Sequence, residues 1–524
     1  MPKCKFENRA GLSEKVLRGV NLLADNVAAT LGPKGCNVIL HQKGNDPIIT
    51  KDGVTVSAFV HCEDEFENAA AQILKQATSQ TNALAGDGTT TATVLAREII
   101  TKAQRYITAG ASPIELKRGI DIATEALVTE LASTAQHIET LADVENIATI
   151  SANNDRTIGK LIATAVDKAG KDGSITIEES RTVNTTLDMI EGFRLEAGYA
   201  ASAFITDERR GAVNYDSPLV LVTDNKIDSV DQILPALELL SRDGRPLVIV
   251  AEEIEGQALA ALIMNTVRGT MKIVAVKAPF YGARRRSVLA DLAISTGAEF
   301  FTRDSTVSLK DIKMQHFGQC RSIDITKSAT TVIGGKGNAD EIDGRIELLK
   351  AQLLDTEDLR ECDKIQERIT KLASGVAVIK VGAPTEVEMI EKRHRVEDAL
   401  EAVKSAQQEG IVSGGGVALL RVSTVLQRAT VENEDQQYGV DIVREAIMSP
   451  MRQMATNCGL SPDLIVNMVS TAEDGTGYDF RNDRIVDMIQ EGIIDPVKVT
   501  RVALQNAASA AGTLITTSHA IIEI

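Results

Sequence analysis

The residues best suited to do chemistry lie in the stretch Ala85-Gly86-Asp87-Gly88-Thr89-Thr90-Thr91-Ala92-Thr93-Val94-Leu95. Two glycines bracket a carboxylate, three hydroxyls follow, and an apolar-periodic segment then begins, so the stretch reads as a loop running into a helix. The first N–H groups of a helix lack intrahelical partners and stand at the positive end of its dipole, which attracts phosphate. Gly86 and Gly88 let backbone approach an anion without a Cβ in the way. Asp87 is placed to hold a Mg2+ that bridges phosphate oxygens, and the hydroxyls of Thr89, Thr90 and Thr91 can donate to those oxygens or coordinate a cation. The pattern points to a nucleotide polyphosphate with a metal. Asp and Thr are also ordinary N-cap residues, so a merely capped helix start is the alternative.

The elements that must position this loop are mostly helical. Leu12, Val16, Val20, Leu23, Val27 and Leu31 recur at helix spacing, and Gly32-Pro33-Lys34-Gly35 stops them. Cys36 to Leu40 reads as a strand, residues 41–47 as a hairpin turn and Ile48-Ile49-Thr50 as its return. A second helix carries Phe66, Ala70, Ile73, Ala77 and Leu84 into the loop. Ser112-Pro113-Ile114-Glu115 has the form of a capped helix start with Pro at the first helical position. After about Ser133 helices continue through Ile147 and from Asp155 to Gly170, and strand patterns begin at Ile175-Thr176-Ile177.

Between Leu219 and Phe301 the signals alternate. Leu219 to Val222, Leu247 to Val250 and Ile273 to Val276 are fully apolar runs, as in buried parallel strands, separated by helices from about Ser229 to Arg242 and Glu255 to Arg268. Ile233, Leu234, Leu237 and Leu240 in the first helix, and Leu259, Leu262, Ile263, Met264 and Val267 in the second, cover more than one stripe. Either both faces are buried, or one apolar face is offered to another molecule. From Asn338 to Ser374 two charged amphipathic helices form an antiparallel pair, a strand at Val376 to Val381 follows, and a helix from Glu386 to Gln407 leads back. Ser413-Gly414-Gly415-Gly416-Val417 is a second glycine-rich approach to a helix. Further helices run through Met454, Val469 and Met488.

Bulk properties narrow the class. A chain of 524 residues exceeds one core and implies several domains. A net charge of −17 disfavours a nucleic-acid binder. No apolar run long enough for a membrane span and no apolar leader after Met1-Pro2-Lys3 occur, so the expectation is a cytoplasmic protein that makes no membrane contact. The six cysteines and six histidines are scattered, which fits reduced thiols and gives no support to a zinc site or a histidine-based triad.

Leu31-Gly32-Pro33-Lys34-Gly35, Thr50-Lys51-Asp52-Gly53-Val54, Ile150-Ser151-Ala152-Asn153, Arg395-Val396-Glu397-Asp398-Ala399 and Ser413 to Ala418, together with the central loop, closely resemble the group I chaperonins of the GroEL type from about Ala10 to Thr517. The resemblance implies a multidomain α and α/β fold. A helical equatorial ATPase domain would span 1–133 and 409–524, a small α/β intermediate hinge domain 134–190 and 377–408, and an α/β apical domain 191–376. Gly192, Gly375, Gly382 and Gly410 are the candidate hinges. It implies ATP, Mg2+ and a K+ near Thr30, Lys51 and Thr90 as cofactors. Asp398 and Asp52 would orient the attacking water. Thr30, Leu31, Gly32, Pro33, Lys51, Asp87, Gly88, Thr89, Thr90, Thr91, Ser151, Gly414, Gly415, Asp479, Phe480, Ile493 and Asp495 would contact nucleotide, with Asp495 at the ribose. Tyr199, Phe204, Leu234, Leu237, Leu259, Ile263 and Met264 would bind non-native client proteins. Homo-oligomeric rings, heptameric and single or double, and a co-chaperonin lid are the implied partners.

Several positions depart from the family pattern. Asp479-Phe480 stands where Asn-Ala is usual at the adenine edge, and an ionised Asp cannot donate a hydrogen bond. Ala197 replaces an arginine expected to pair with the acid at Glu386, Ser461 an acid that could pair with Arg452 across rings, and Ala201 and Ala203 a Ser and a Tyr of the client groove. The alternating tail His519 to Ile524 suggests a strand added to a neighbour's 36–50 hairpin. No Gly-x-x-x-x-Gly-Lys-Ser/Thr sequence or kinase signature set is present, which weighs against another ATPase class. A binding ring without a productive cycle is the second expectation, and retention of Asp52, Asp87 and Asp398 weighs against it.

Overall fold

The computed structural model describes residues 4–42, 47–138, 140–169, 174–180, 182–302, 308–356, 358–373 and 375–523. The chain divides into two compact units, one of residues 1–164, 181–183 and 382–524, the other of 165–180 and 184–381. The stretches expected to form a separate middle domain, 134–190 and 377–408, are thus apportioned to both.

In the first unit the helices Arg9–Ala28, Glu65–Ala85, Thr89–Thr108, Pro113–Ser133, Glu434–Ala446 and Val497–Ile515 enclose an aliphatic core. Leu23, Leu74, Leu95, Ile99, Leu116, Ile120 and Leu127 are all at 0 % exposure in it, each worth about 1.5–3 kcal/mol of burial. The last helix is lined by Ala507, Ala508, Ala510, Ala511 and Gly512, small enough to pack against three neighbours at once. Ser112 makes no side-chain cap. Glu115, expected to complete that cap, instead accepts from Gln436 Nε2 at 2.7 Å and Asn433 Nδ2 at 2.9 Å, tying its helix to the 434–446 segment.

The strands Val38–Leu40 and Ile48–Thr50 pair antiparallel as expected, while residues 43–46 of their turn lie outside the described residues. One expectation fails here. The stretch leading to Met488 is a hairpin, Thr476–Asp479 with Arg484–Asp487, because Gly475 and Asp483 take left-handed φ of 83° and 52° and the apolar side chains alternate. Along one edge, the C-terminal strand His519–Glu523 pairs with the chain's own Cys4–Asn8, Cys4 opposite Glu523. Alternation fixes which face a strand buries and leaves its partner open.

The second unit is built on a sheet whose strands run in the order 273–277, 247–251, 219–223, 318–325, 330–335, 186–195, 375–381, 174–179. The three continuous apolar runs pair in parallel with one another and are buried on both faces. The helices Leu234–Asp243, Gly256–Val267 and Gly282–Thr296 follow them in turn. Helices Ala339–Asp355 and Leu359–Ala373 pack together, and Arg345 and Arg368 converge on Asp291 at 2.9 and 2.7 Å, so the buried carboxylate is doubly paired.

Candidate nucleotide site and apolar face

Helix Glu65–Ala85 ends and helix Thr89–Thr108 begins with only Gly86-Asp87-Gly88 between them. Both glycines are left-handed, at φ 73° and 90°, and both are crowded: a Cβ would stand 2.2 Å from Glu401 Cβ at the first and 2.8 Å from Val499 Cγ1 at the second. No side chain caps the second helix. The Asp87 carboxylate accepts instead from Gly88 N–H and, at 3.3 Å, from Ser151 Oγ. The capped-start alternative therefore fails, and the N–H groups at Thr89, Thr90 and Thr91 are left for an anion.

This helix start lines a cavity of about 380 Å3 in the first unit. The size suits a small-molecule ligand. Thr30, Leu31, Gly32, Pro33, Lys51, Asp52, Asp87, Gly88, Thr89, Thr90, Thr91, Ser151, Asp398, Gly415, Asp479, Phe480, Ile493 and Asp495 all contribute to its wall, although they span more than 460 positions of chain. Gly414 is the exception. Its N–H is used by the Ile493 carbonyl at 2.9 Å, so it backs the wall and holds the Ile493–Asp495 segment in place.

The wall has two characters. On one side stand carboxylates and hydroxyls. Asp52 caps the helix Gly53–Phe59, accepting from Val54 N–H at 3.2 Å and Thr55 N–H at 3.0 Å, which fixes its orientation. Asp398 enters from the helix Glu386–Glu409, whose Arg395 is held by Glu391 at 2.7 Å and Asp155 at 3.4 Å. Burial raises the Asp87 carboxyl, Gly88 and Ser151 lower it, and Asp52 adds to the rise. Burial and the charge of Asp87 push Asp495 up to about 6. Crowded carboxylates of this kind favour a bound cation. On the other side Leu31, Tyr478, Phe480, Met454 and Ile493 form an apolar surface, with Tyr478 and Phe480 edge to face at 5.2 Å.

Among the described residues no three His, Cys, Asp or Glu side chains gather into a metal cage. Mg2+ nevertheless fits Asp87, because that ion commonly takes one protein carboxylate and completes its shell with phosphate oxygens and water. Thr30 Oγ1 lies 3.3 Å from Thr90 Oγ1, so two hydroxyl oxygens converge where a monovalent cation was expected. Lys51 is lowered by burial and donates to the Gly32 carbonyl at 3.0 Å, bracing the 31–35 loop.

Sequence reasoning missed Asn146, Thr149, Asn154, Arg156, Glu391 and Asn482, which also line the cavity. A signal existed for one pair: Asn153 and Asn154 take left-handed φ of 56° and 63°, a conformation that Asn tolerates better than most residues. The others are ordinary polar residues on helices and turns and carry no mark.

In the second unit the seven expected client-binding residues separate. Leu234 and Met264 are exposed at 44 % and 52 %, and Tyr199, Leu259 and Ile263 are half-buried against the core. Phe204 at 0 % and Leu237 at 6 % lie inside the unit's own core and face no solvent, a correction to the expectation. Val267, at 68 %, extends the exposed face beyond that set. Ala197 is buried at 8 %, and its carbonyl accepts from Thr330 Oγ1 at 2.6 Å. Arg452, lacking an acid at 461, pairs with Asp463 at 3.1 Å.

Among the described residues no helix is long and apolar enough to cross a membrane. The fold is similar to that of the chaperonin gp146 from the bacteriophage EL 2 (Pseudomonas aeruginosa), crystallised in presence of ATP-BeFx, with a TM-score of 0.68, 20% identity and 99% of each chain covered. The TCP-1/cpn60 chaperonin family matches residues 23–524. With nearly the whole sequence inside that match, the chain belongs to the TCP-1/cpn60 chaperonin family.

Proposed function

We propose that the chain is an ATP-hydrolysing chaperonin subunit of the group I type, diverged at its subunit and base contacts. It captures non-native polypeptides on apolar helices and releases them into a ring cavity under control of the nucleotide. The observation that carries the reading is the uncapped start of helix Thr89–Thr108, opening beside Asp87 into a cavity lined by acids and hydroxyls.

The triphosphate lies against the Thr89 to Thr91 N–H groups and hydroxyls. Asp87 would hold Mg2+, which would neutralise phosphate charge, and a K+ would lie near Thr30, Lys51 and Thr90. Asp398 and Asp52 orient a water for in-line attack on the terminal phosphorus, Asp398 taking its proton as the bond to the leaving phosphate breaks. Such a reaction needs positioning and charge neutralisation more than covalent chemistry. Client capture falls to Leu234, Met264 and Val267 with Tyr199, Leu259 and Ile263 beside them, a surface without directional demands and hence tolerant of many sequences. Phe204 and Leu237 support it from beneath.

Three domains, equatorial, intermediate and apical, working in the cytoplasm as a homo-oligomeric ring, heptameric in the family's manner, complete the reading. Phe6, Ile39 and Ile521, exposed at 71 %, 69 % and 67 % in the first unit, are apolar surface that a neighbouring copy would cover. Refolding of a denatured test enzyme, with Mg-ATP or Mg-ADP and with or without a lid protein, tests the function. Recovery dependent on ATP supports it. Capture without ATP-dependent release contradicts it.

A further inference from the structure

The turn that follows Asp479 gives the apolar side of the cavity a polar edge. Asp479, at 5 % exposure, accepts from Arg481 N–H at 2.9 Å and Asn482 N–H at 3.2 Å through Oδ1, and from the Asn482 carboxamide nitrogen at 2.7 Å through Oδ2. Its carboxylate is therefore engaged with its own turn. An ionised carboxylate only accepts, so the Asn482 amide must turn its NH2 toward it, which settles the orientation of that side chain. The Asn482 carboxamide oxygen then remains as an acceptor with no bond to a described residue, on a side chain that lines the cavity. The Lys34–Asp483 ion pair at 3.1 Å ties the same turn to the 31–35 loop across from it.

We propose that Asn482 is the base-reading residue of the site and that Asp479 is its positioning residue: the Asn482 oxygen accepts from the exocyclic amine of adenine. The assignment rests on the nucleotide reading given above. A six-amino purine offers a donor there, and a six-oxo purine offers an acceptor that faces the same oxygen without a proton between them. The neighbouring Arg481, also lining the cavity and a donor only, is the competing reader, since it would suit a six-oxo purine.

The test is equilibrium binding and steady-state hydrolysis of ATP and of ITP by the full-length protein and two variants. The wild type is expected to favour ATP by about tenfold, the size of one hydrogen bond at a water-exposed edge. Asn482→Ala should bring the ratio close to one by weakening ATP binding about tenfold. Asp479→Asn sets an NH2 against the Asn482 NH2 and should lower the same ratio. An unchanged ratio in Asn482→Ala, with ATP still bound, overturns the assignment alone, and a wild-type preference for ITP transfers it to Arg481. Failure of the wild type to bind either nucleotide removes the nucleotide reading and this one with it.

Discussion

The phosphate side of the cavity and the apolar face of the second unit are built on opposite principles. At the cavity several polar side chains are fixed by partners: Asp52 by the helix it caps, Asp87 by Gly88 and Ser151, Lys51 by the Gly32 carbonyl. On the apolar face Leu234, Met264 and Val267 have only packing on one side and water on the other. The difference teaches that the first region can be selective, since directional bonds discriminate, whereas the second can only be sticky. Under the proposed function it also implies where change would be tolerated: an altered apolar residue on that face would shift affinity by degrees, while a displaced acid in the cavity would slow the chemistry sharply.

The contrast can be broken by substitution. Asp398→Ala is expected to lower hydrolysis by about 10²–10⁴ with ATP affinity retained, as for loss of a positioned proton acceptor; single-turnover and binding measurements separate the two. Phe204→Ala, in the core beneath the apolar face, should cost about 3–5 kcal/mol in denaturant unfolding of that unit. By contrast Met264→Ser should leave the unfolding midpoint almost unmoved and weaken capture of a denatured client. Equal destabilisation by both changes would mean that the face is core after all. Gly88→Ala combines a left-handed backbone with a contact 2.8 Å from Val499 Cγ1 and should cost about 1–3 kcal/mol, with loss of ATP binding in a titration.

The smallest effect concerns pH. Asp495 titrates at about 6 in the folded protein, above the usual aspartate value of about 3.9. Between these values the folded state holds the proton that the unfolded state has lost, so stability falls as pH rises through about 6. Water reaches this half-buried group from the cavity, which moderates the size. Asp495→Asn should flatten that part of the melting-temperature profile without nucleotide.

The glycines and threonines of the cavity were legible in the sequence because each answers a backbone demand: a left-handed φ at Gly86 and Gly88, an open helix start at Thr89. The parallel strands were legible because continuous apolar runs have few other uses. The apolar helices were not, since a leucine at position 234 and one at 237 look alike until packing puts one at 44 % exposure and the other at 6 %. The hairpin before Met488 was hidden by reading apolar residues for period 3.6 where Gly475 and Asp483 impose turns. Asn482 carried no mark at all. Its place depends on Asp479, whose carboxylate bonds within its own turn.

In the proposed function, nucleotide in the cavity governs exposure of the apolar face. Oxidative footprinting of Met264 by mass spectrometry, without nucleotide and with Mg-ATP, measures this directly. The account predicts that oxidation of Met264 slows several-fold when Mg-ATP binds and recovers after hydrolysis. An oxidation rate that stays the same while ATP is demonstrably bound would contradict it.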